Sequence, residues 1–140
     1  MLFDHENHII NLCTQGMEME GAGKPEEARE IFEQAWNESK DDFEKFTSAH
    51  YVARHQQSVA DKLKWDETAL YHAMKIDAPQ IKDTYPSLYL NIAKCYEDLG
   101  DRENARKNYE LAFSFTHLLA DDGYGNMIRG GIQNGLARIK

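Results

Sequence analysis

The sequence predicts an all-α fold built of stacked helix hairpins, and three observations carry that prediction. Apolar residues recur with a helical period: Tyr89, Ile92, Ala93 and Tyr96 fall at i, i+3, i+4 and i+7, on one helix face. Gly100 stands just past that face, where a helix ends in a left-handed turn, and Asp101 is placed to cap the next helix. Ala105, Tyr109 and Ala112 then resume the stripe, with small residues where two helices must approach closely. The third observation is repetition. Within residues 12–35, Leu12, Gly16 and Met19 take the stripe, Gly23 the turn, and Ala28, Phe32 and Ala35 match Ala105, Tyr109 and Ala112. Twelve positions separate Gly16 from Ala28 and Ala93 from Ala105. No useful stretch alternates with period two and β-branched residues are sparse, so no sheet is expected.

The elements follow in order. A first helix is expected to begin after Asp4 and run to about Glu20, ended by Gly21 and Gly23. Pro25 in the first turn of the second, followed by Glu26 and Glu27, fits both the proline preference and the positive end of the helix dipole. Asp41 with Glu44 reads as a capping box for the third helix, and Ser58 with Asp61 does similar duty for the fourth. The fifth begins near Thr84 to Ser87, with Pro86 in its first turn, and the sixth follows Asp101.

Shifting the first unit by 34 residues lands on Phe46, Ala49, His50 and Ala53, then on Trp65 and Ala69. This middle unit departs from its neighbours: Lys62 replaces the small residue, Gln57 the turn glycine and Asp66 the aromatic. The third unit starts 43 residues after the second, which places an insertion of about nine residues near Ile76 to Tyr85. In the tail, Tyr124, Ile128, Ile132, Leu136 and Ile139 form a helical stripe, although each glycine there costs about 1 kcal/mol relative to Ala. Gly131 and Gly135, four apart, would let that helix lie close to a neighbour. Two roles stay open for it: a cap over an apolar end formed by Phe113, Phe115, Leu118 and Leu119, as stacked repeats require, or a dimerisation helix.

The series of a large apolar residue, a small one, a Tyr, a Gly turn and a later Ala–aromatic–Ala set resembles the tetratricopeptide repeat. The chain looks like a small three-repeat, bacterial-type member of that family, with the likeness covering roughly residues 9–119. The resemblance implies a right-handed α-solenoid of three helix hairpins plus a C-terminal capping helix, about seven helices in one domain over 1–140. Repeats would fall at approximately 9–42, 43–85 and 86–119, and the cap at approximately 122–139. It further implies a non-catalytic protein- or peptide-binding adaptor or scaffold, because the family builds binding surfaces instead of active sites.

In such arrays the first helix of each pair lines a concave groove. Mapped here, the peptide-binding positions are Met17, Glu44, Thr47, Tyr51, Arg54, His55, Leu90, Lys94 and Glu97, with Ile10, Cys13, Glu20, Ser87 and Asp98 beside them. Met17, Tyr51 and Leu90 together with Arg54, His55 and Lys94 would suit a peptide with apolar anchors and an acidic group or free C-terminus. Chaperone-binding members hold a terminal carboxylate in a clamp of Lys, Asn and Arg. Cys13, Met17, Ser48, Ser87 and Asn91 stand at the corresponding positions, so that clamp is lacking and the partner's identity stays open.

Composition narrows the classes further. The net charge is −8 and the basic residues are scattered, which disfavours nucleic acid as a partner and favours neutral or basic polypeptides. No apolar run approaches a membrane span, and MLFDHENH lacks the features of a signal peptide, so a cytoplasmic protein without membrane association is expected. Cys13 and Cys95 are then expected to be reduced. His5 and His8 share a helical spacing and His50 and His55 diverge, but no third ligand completes a metal set, and Asp121 to Asn126 lacks the Glu of a calcium loop. The glycines at 123, 125, 130 and 131 follow no predicted strand, and no nucleophile motif is present, so neither a cofactor nor an enzyme is expected. Two other classes stay open: a small enzyme or accessory domain acting on RNA or another macromolecule, and a structural homodimer.

Overall fold

A computed structural model describes residues 6–140, and every regular element among them is helical. The order is α1 (His8–Gly21), α2 (Pro25–Glu38), α3 (Asp42–Ala53), α4 (Val59–Ala73), α5 (Pro79–Lys82), α6 (Tyr85–Asp98), α7 (Arg102–Ser114), a 3-10 turn (Thr116–Leu118) and α8 (Gly123–Arg138). Among the described residues these are the seven expected long helices plus the single turn α5, which occupies the insertion. Asp4 and His5, on which the expected helix start and one histidine pair depend, lie outside the described residues. The helix begins at His8, where the Asn7 side chain accepts from the Ile9 and Ile10 amides at 2.8 and 3.1 Å. The chain divides into two compact units, one up to Lys75 and one from Ile76 to Lys140, so the division falls at the start of the insertion.

In the first unit α1 pairs with α2 and α3 with α4. The α1–α2 turn is the predicted one: Gly23 takes φ +75°, the Lys24 amide donates to the Met19 carbonyl and the Gly23 amide to that of Glu20. At the second turn Gln57 stands where the glycine would, and no residue there has positive φ. The chain instead unwinds through Arg54, His55 and Gln56, whose amides reach back three residues, before Ser58 caps α4 by accepting from Asp61. Ile9, Leu12, Cys13, Ala28, Phe32, Ala35 and Val52 form the core of this unit.

Phe32 is fully buried and lies across Gly16 so closely that a Cβ there would meet the ring at 2.3 Å. This is why the small residue recurs at that position. Gly16→Ala is therefore expected to overpack the hairpin by more than the roughly 1 kcal/mol of helix propensity it gains, for a net loss of about 1–2 kcal/mol. Gly21→Ala, with nothing within 4 Å, should instead raise stability slightly. Urea denaturation of the two variants checks the opposite signs.

The middle hairpin solves the same packing problem with polar groups. His50, Lys62 and Asp66 occupy the positions of Gly16, Ala28 and Phe32, with the same spacings. Asp66 is buried, and the Lys62 ammonium reaches its carboxylate at 2.6 Å. Lys62 and Asp66, which look like lost packing in the sequence, are thus bound to each other.

In the second unit α6 and α7 form the best-matched hairpin. Gly100 takes φ +83°, and the Asp101 amide donates to the Tyr96 carbonyl in the same geometry as the first turn. Helix α5 is anchored by Ile81, which is 1% exposed. Helix α8 packs on both α6 and α7 through its small residues: a Cβ at Gly131 would lie 3.0 Å from Leu90, and one at Gly135 would lie 2.2 Å from the Tyr109 ring. Arg102 and Arg106 donate to the carbonyls of Lys140 and Ile139, and Arg129 donates to those of Leu119 and Ala120, which fixes both ends of the helix. Two details of the expected cap need correction. Tyr124 is not on the buried stripe but 56% exposed, and the face beneath α8 is that of Leu90, Ala105 and Tyr109 instead of Phe113, which stays 54% exposed. Phe115 stacks on Tyr89 at 5.9 Å.

Candidate protein-binding surface

In the first unit the predicted positions separate by depth. Met17 is exposed on α1. Tyr51, half-buried on α3, stacks on Phe32 with ring centroids 5.1 Å apart and nearly parallel, and the exposed Arg54 guanidinium lies 5.1 Å from the Tyr51 ring centre. An aromatic pinned to the core beneath a cation is thus held ready at the surface. His55 and Arg54 are both engaged by Glu20 of α1, which lies 2.7 Å from His55 Nε2 and 3.5 Å from the Arg54 guanidinium. The Arg54 charge is already answered within the fold and the His55 ring is already hydrogen-bonded, so a ligand carboxylate would have to displace Glu20.

Other predicted groove residues serve the fold. Thr47 is only 6% exposed, and its hydroxyl donates to the Phe43 carbonyl, so it offers no groove surface. Glu44 accepts from the Lys40 amide at 2.9 Å and from the Asn7 side chain at 3.2 Å, joining the loop before α3 to the start of α1. Cys13 is buried as well, and burial pushes its thiol up to about 12. Cys95 is buried too, and neither cysteine takes part in a disulfide.

In the second unit Leu90 and Glu97 meet α8. Leu90 lies against Gly131. Glu97 accepts from the Tyr109 hydroxyl at 2.7 Å and from Arg138 Nε at 2.8 Å; the Arg138 hydrogen bond is the main cause holding its carboxyl down at about 2. Tyr109 is pushed up to about 12, chiefly by burial. Lys94 remains exposed and is paired with Asp98 one turn on.

These corrections share one physical cause. A first helix in a stack has two buried faces, one toward its hairpin partner and one toward the next helix laid against it. The residue three before the small position (Cys13 and Leu90) sits on the second face. The carboxylate four after it (Glu20 and Glu97) reaches an arginine at the C-terminal end of the helix laid against it, Arg54 in one unit and Arg138 in the other, and Glu20 meets the His55 ring as well. Glu20 and Glu97 are struts. Among the described residues no group of three or more His, Cys, Asp or Glu side chains could hold a metal ion, and no helix is long and apolar enough to cross a membrane.

One feature of the first unit carried no sequence signal for binding. Trp36 of α2 and Trp65 of α4, read as stripe residues or not at all, meet edge to face at 4.9 Å and line an open cavity. Only their spatial meeting reveals it, since they lie 29 residues apart.

Residues 86–115 match the family model for the tetratricopeptide repeat. No curated protein matches the chain in sequence. Among solved structures, the crystal structure of PcrH from Pseudomonas aeruginosa is similar in fold, with a TM-score of 0.58 and 19% identity over 97% of this chain and 94% of that one. The matched repeat and the shared fold place the chain in the all-α, α-solenoid class expected from its sequence.

Proposed function

We propose that this tetratricopeptide-repeat protein is a non-catalytic adaptor or scaffold that binds a protein or peptide, and that the first unit carries the recognition surface. The observation behind this reading is the Phe32–Tyr51–Arg54 stack, with Met17 exposed at the position on α1 equivalent to Tyr51. Tyr and Arg are the residue types that most often dominate interface energy, and a ring already fixed in place loses little entropy on binding. In the second unit the position equivalent to Met17 and Tyr51 is Lys94, exposed and paired with Asp98, so that unit has no apolar anchor there, which favours the first unit as the site. Charge supports a neutral or basic partner polypeptide over nucleic acid. Residues 1–75 hold 15 acidic and eight basic side chains, and residues 76–140 hold nine and eight.

The test is affinity capture followed by titration of the captured partner. Arg54→Ala is expected to weaken binding about tenfold, or roughly 1.4 kcal/mol, without loss of helicity. Tyr51→Ala should weaken it too, but Tyr51 packs on the core, so Tyr51→Leu is the companion variant that retains apolar bulk. Lys107→Ala on α7 should leave the affinity unchanged. Binding insensitive to Arg54 and Tyr51 but lost with Lys107 would move the site to α7 and overturn this reading.

A further inference from the structure

Helices α2 and α4 of the first unit both pack on α3, and a furrow lies between them. It holds two neighbouring cavities, of about 360 and 230 Å³, with Glu33 and Gln56 in the walls of both. Trp36 and Trp65 line the first with Val52 beneath them, while Asp61 lines the second. The indole pair offers apolar surface and a π face that attracts a cation. Glu33, half-exposed at the junction, and Asp61 at the far end supply negative charge. Arg29 also lines the second cavity, but its guanidinium is held by Glu26 at 2.9 Å and by Glu33 at 3.5 Å. Helix α2 has five glutamates against that one arginine.

We propose that this furrow is a second docking surface, for a basic, extended segment of a partner protein that lays an Arg or Lys side chain against Trp36 and Trp65 with its charge toward Glu33. Charge complementarity selects the occupant: Glu33 and Asp61 stand against the one guanidinium of Arg29, itself shared with Glu26, on the more acidic unit, and this excess disfavours carboxylates and nucleic acid and favours cations. From Arg29 to Trp36 the furrow follows α2 for about 10 Å, the reach of roughly three extended residues. The furrow borders the Tyr51–Arg54 stack at His55, which lines the second cavity, but its indole pair and Glu33 are not part of that stack.

The chain carries its own reporter, because Trp36 and Trp65 are its only two tryptophans. The full chain is titrated at low salt with two capped peptides free of aromatics, one alternating Arg and Leu and one alternating Glu and Leu, while indole emission is followed. The Arg peptide should give a saturable change that weakens with added salt, and the Glu peptide none. Glu33→Gln should weaken the Arg peptide at least fivefold, with helicity unchanged, whereas Arg54→Ala should leave it as in the parent. No saturable change with the Arg peptide, an equal change with the Glu peptide, or indifference to Glu33→Gln would each overturn the furrow. Dependence on Arg54 in place of Glu33 would return the binding to the proposed stack.

Discussion

Removal of residues 122–140 is expected to abolish cooperative unfolding of the second unit while leaving that of the first in place. Helix α8 contributes Ile128 and Ile132, and the residue that caps it Ile139, as buried side chains at 6%, 0% and 3% exposure. At roughly 1.5–3 kcal/mol for each fully buried aliphatic side chain, these three supply about 5–9 kcal/mol, comparable to the whole stability of a small domain. Their loss also uncovers the Tyr109 ring and removes the Arg138 partner of Glu97, leaving α5 to α7 with too few residues to rebuild a core. The measurement separates the units. Indole emission reports the first unit alone, since both tryptophans lie there, and circular dichroism reports all helices. The truncated chain should keep its emission-detected urea transition and lose helical signal before any denaturant is added. A truncated chain that retains the parent's helicity and unfolding curve would show that α8 does not complete the second unit.

The glycine pair of α8 was legible because Gly131 and Gly135 sit four apart on a stripe of isoleucines, and each proves to be a point of close approach. The turns at Gly23 and Gly100 and the caps at Asp41, Ser58 and Asp101 were legible for the same reason: each is a local demand met by a residue type with few alternatives. The site was read less well. Periodicity identifies one buried face of a helix, the one toward its hairpin partner, and treats the remainder as solvent or groove. Cys13, Thr47 and Leu90 carry no mark that separates a groove position from a second packing face. Glu20 and Glu97 look like surface acids until the cation opposite each is placed. Such pairings join residues 34 and 41 apart, or more generally any distance the stacking dictates, and no local pattern records them.

Lys62→Ala is expected to cost the first unit roughly 2–3 kcal/mol, although it installs the small residue that both other repeats use. The variant takes away the ammonium 2.6 Å from the Asp66 carboxylate, whose side chain is only 2% exposed. Removing one partner of a buried pair typically costs about 3–5 kcal/mol, and the lower figure here reflects the partial exposure of Lys62. Replacing the whole set is a different matter. His50→Gly, Lys62→Ala and Asp66→Phe together reproduce Gly16, Ala28 and Phe32, the set that fills the preceding hairpin with Ala28 and Phe32 fully buried. Exchange of a buried ion pair for well-packed apolar groups is commonly neutral or stabilising, so the triple variant should recover the parent's stability or exceed it. It should also lose a pH dependence. Burial is the main cause lowering the His50 pKa below 6.5, so the native state resists its protonation. The stability from that neutral ring is complete above about pH 6.5 and is lost as the pH falls through the lower native value. Urea titrations followed by indole emission at pH 7.5 and 5.5 read both effects, with Trp65 adjacent in sequence to Asp66. A triple variant as unstable as Lys62→Ala alone would mean that the middle hairpin cannot take the packing of the first. His50, Lys62 and Asp66 would then be a requirement of this hairpin's own geometry, not an interchangeable solution to a shared one.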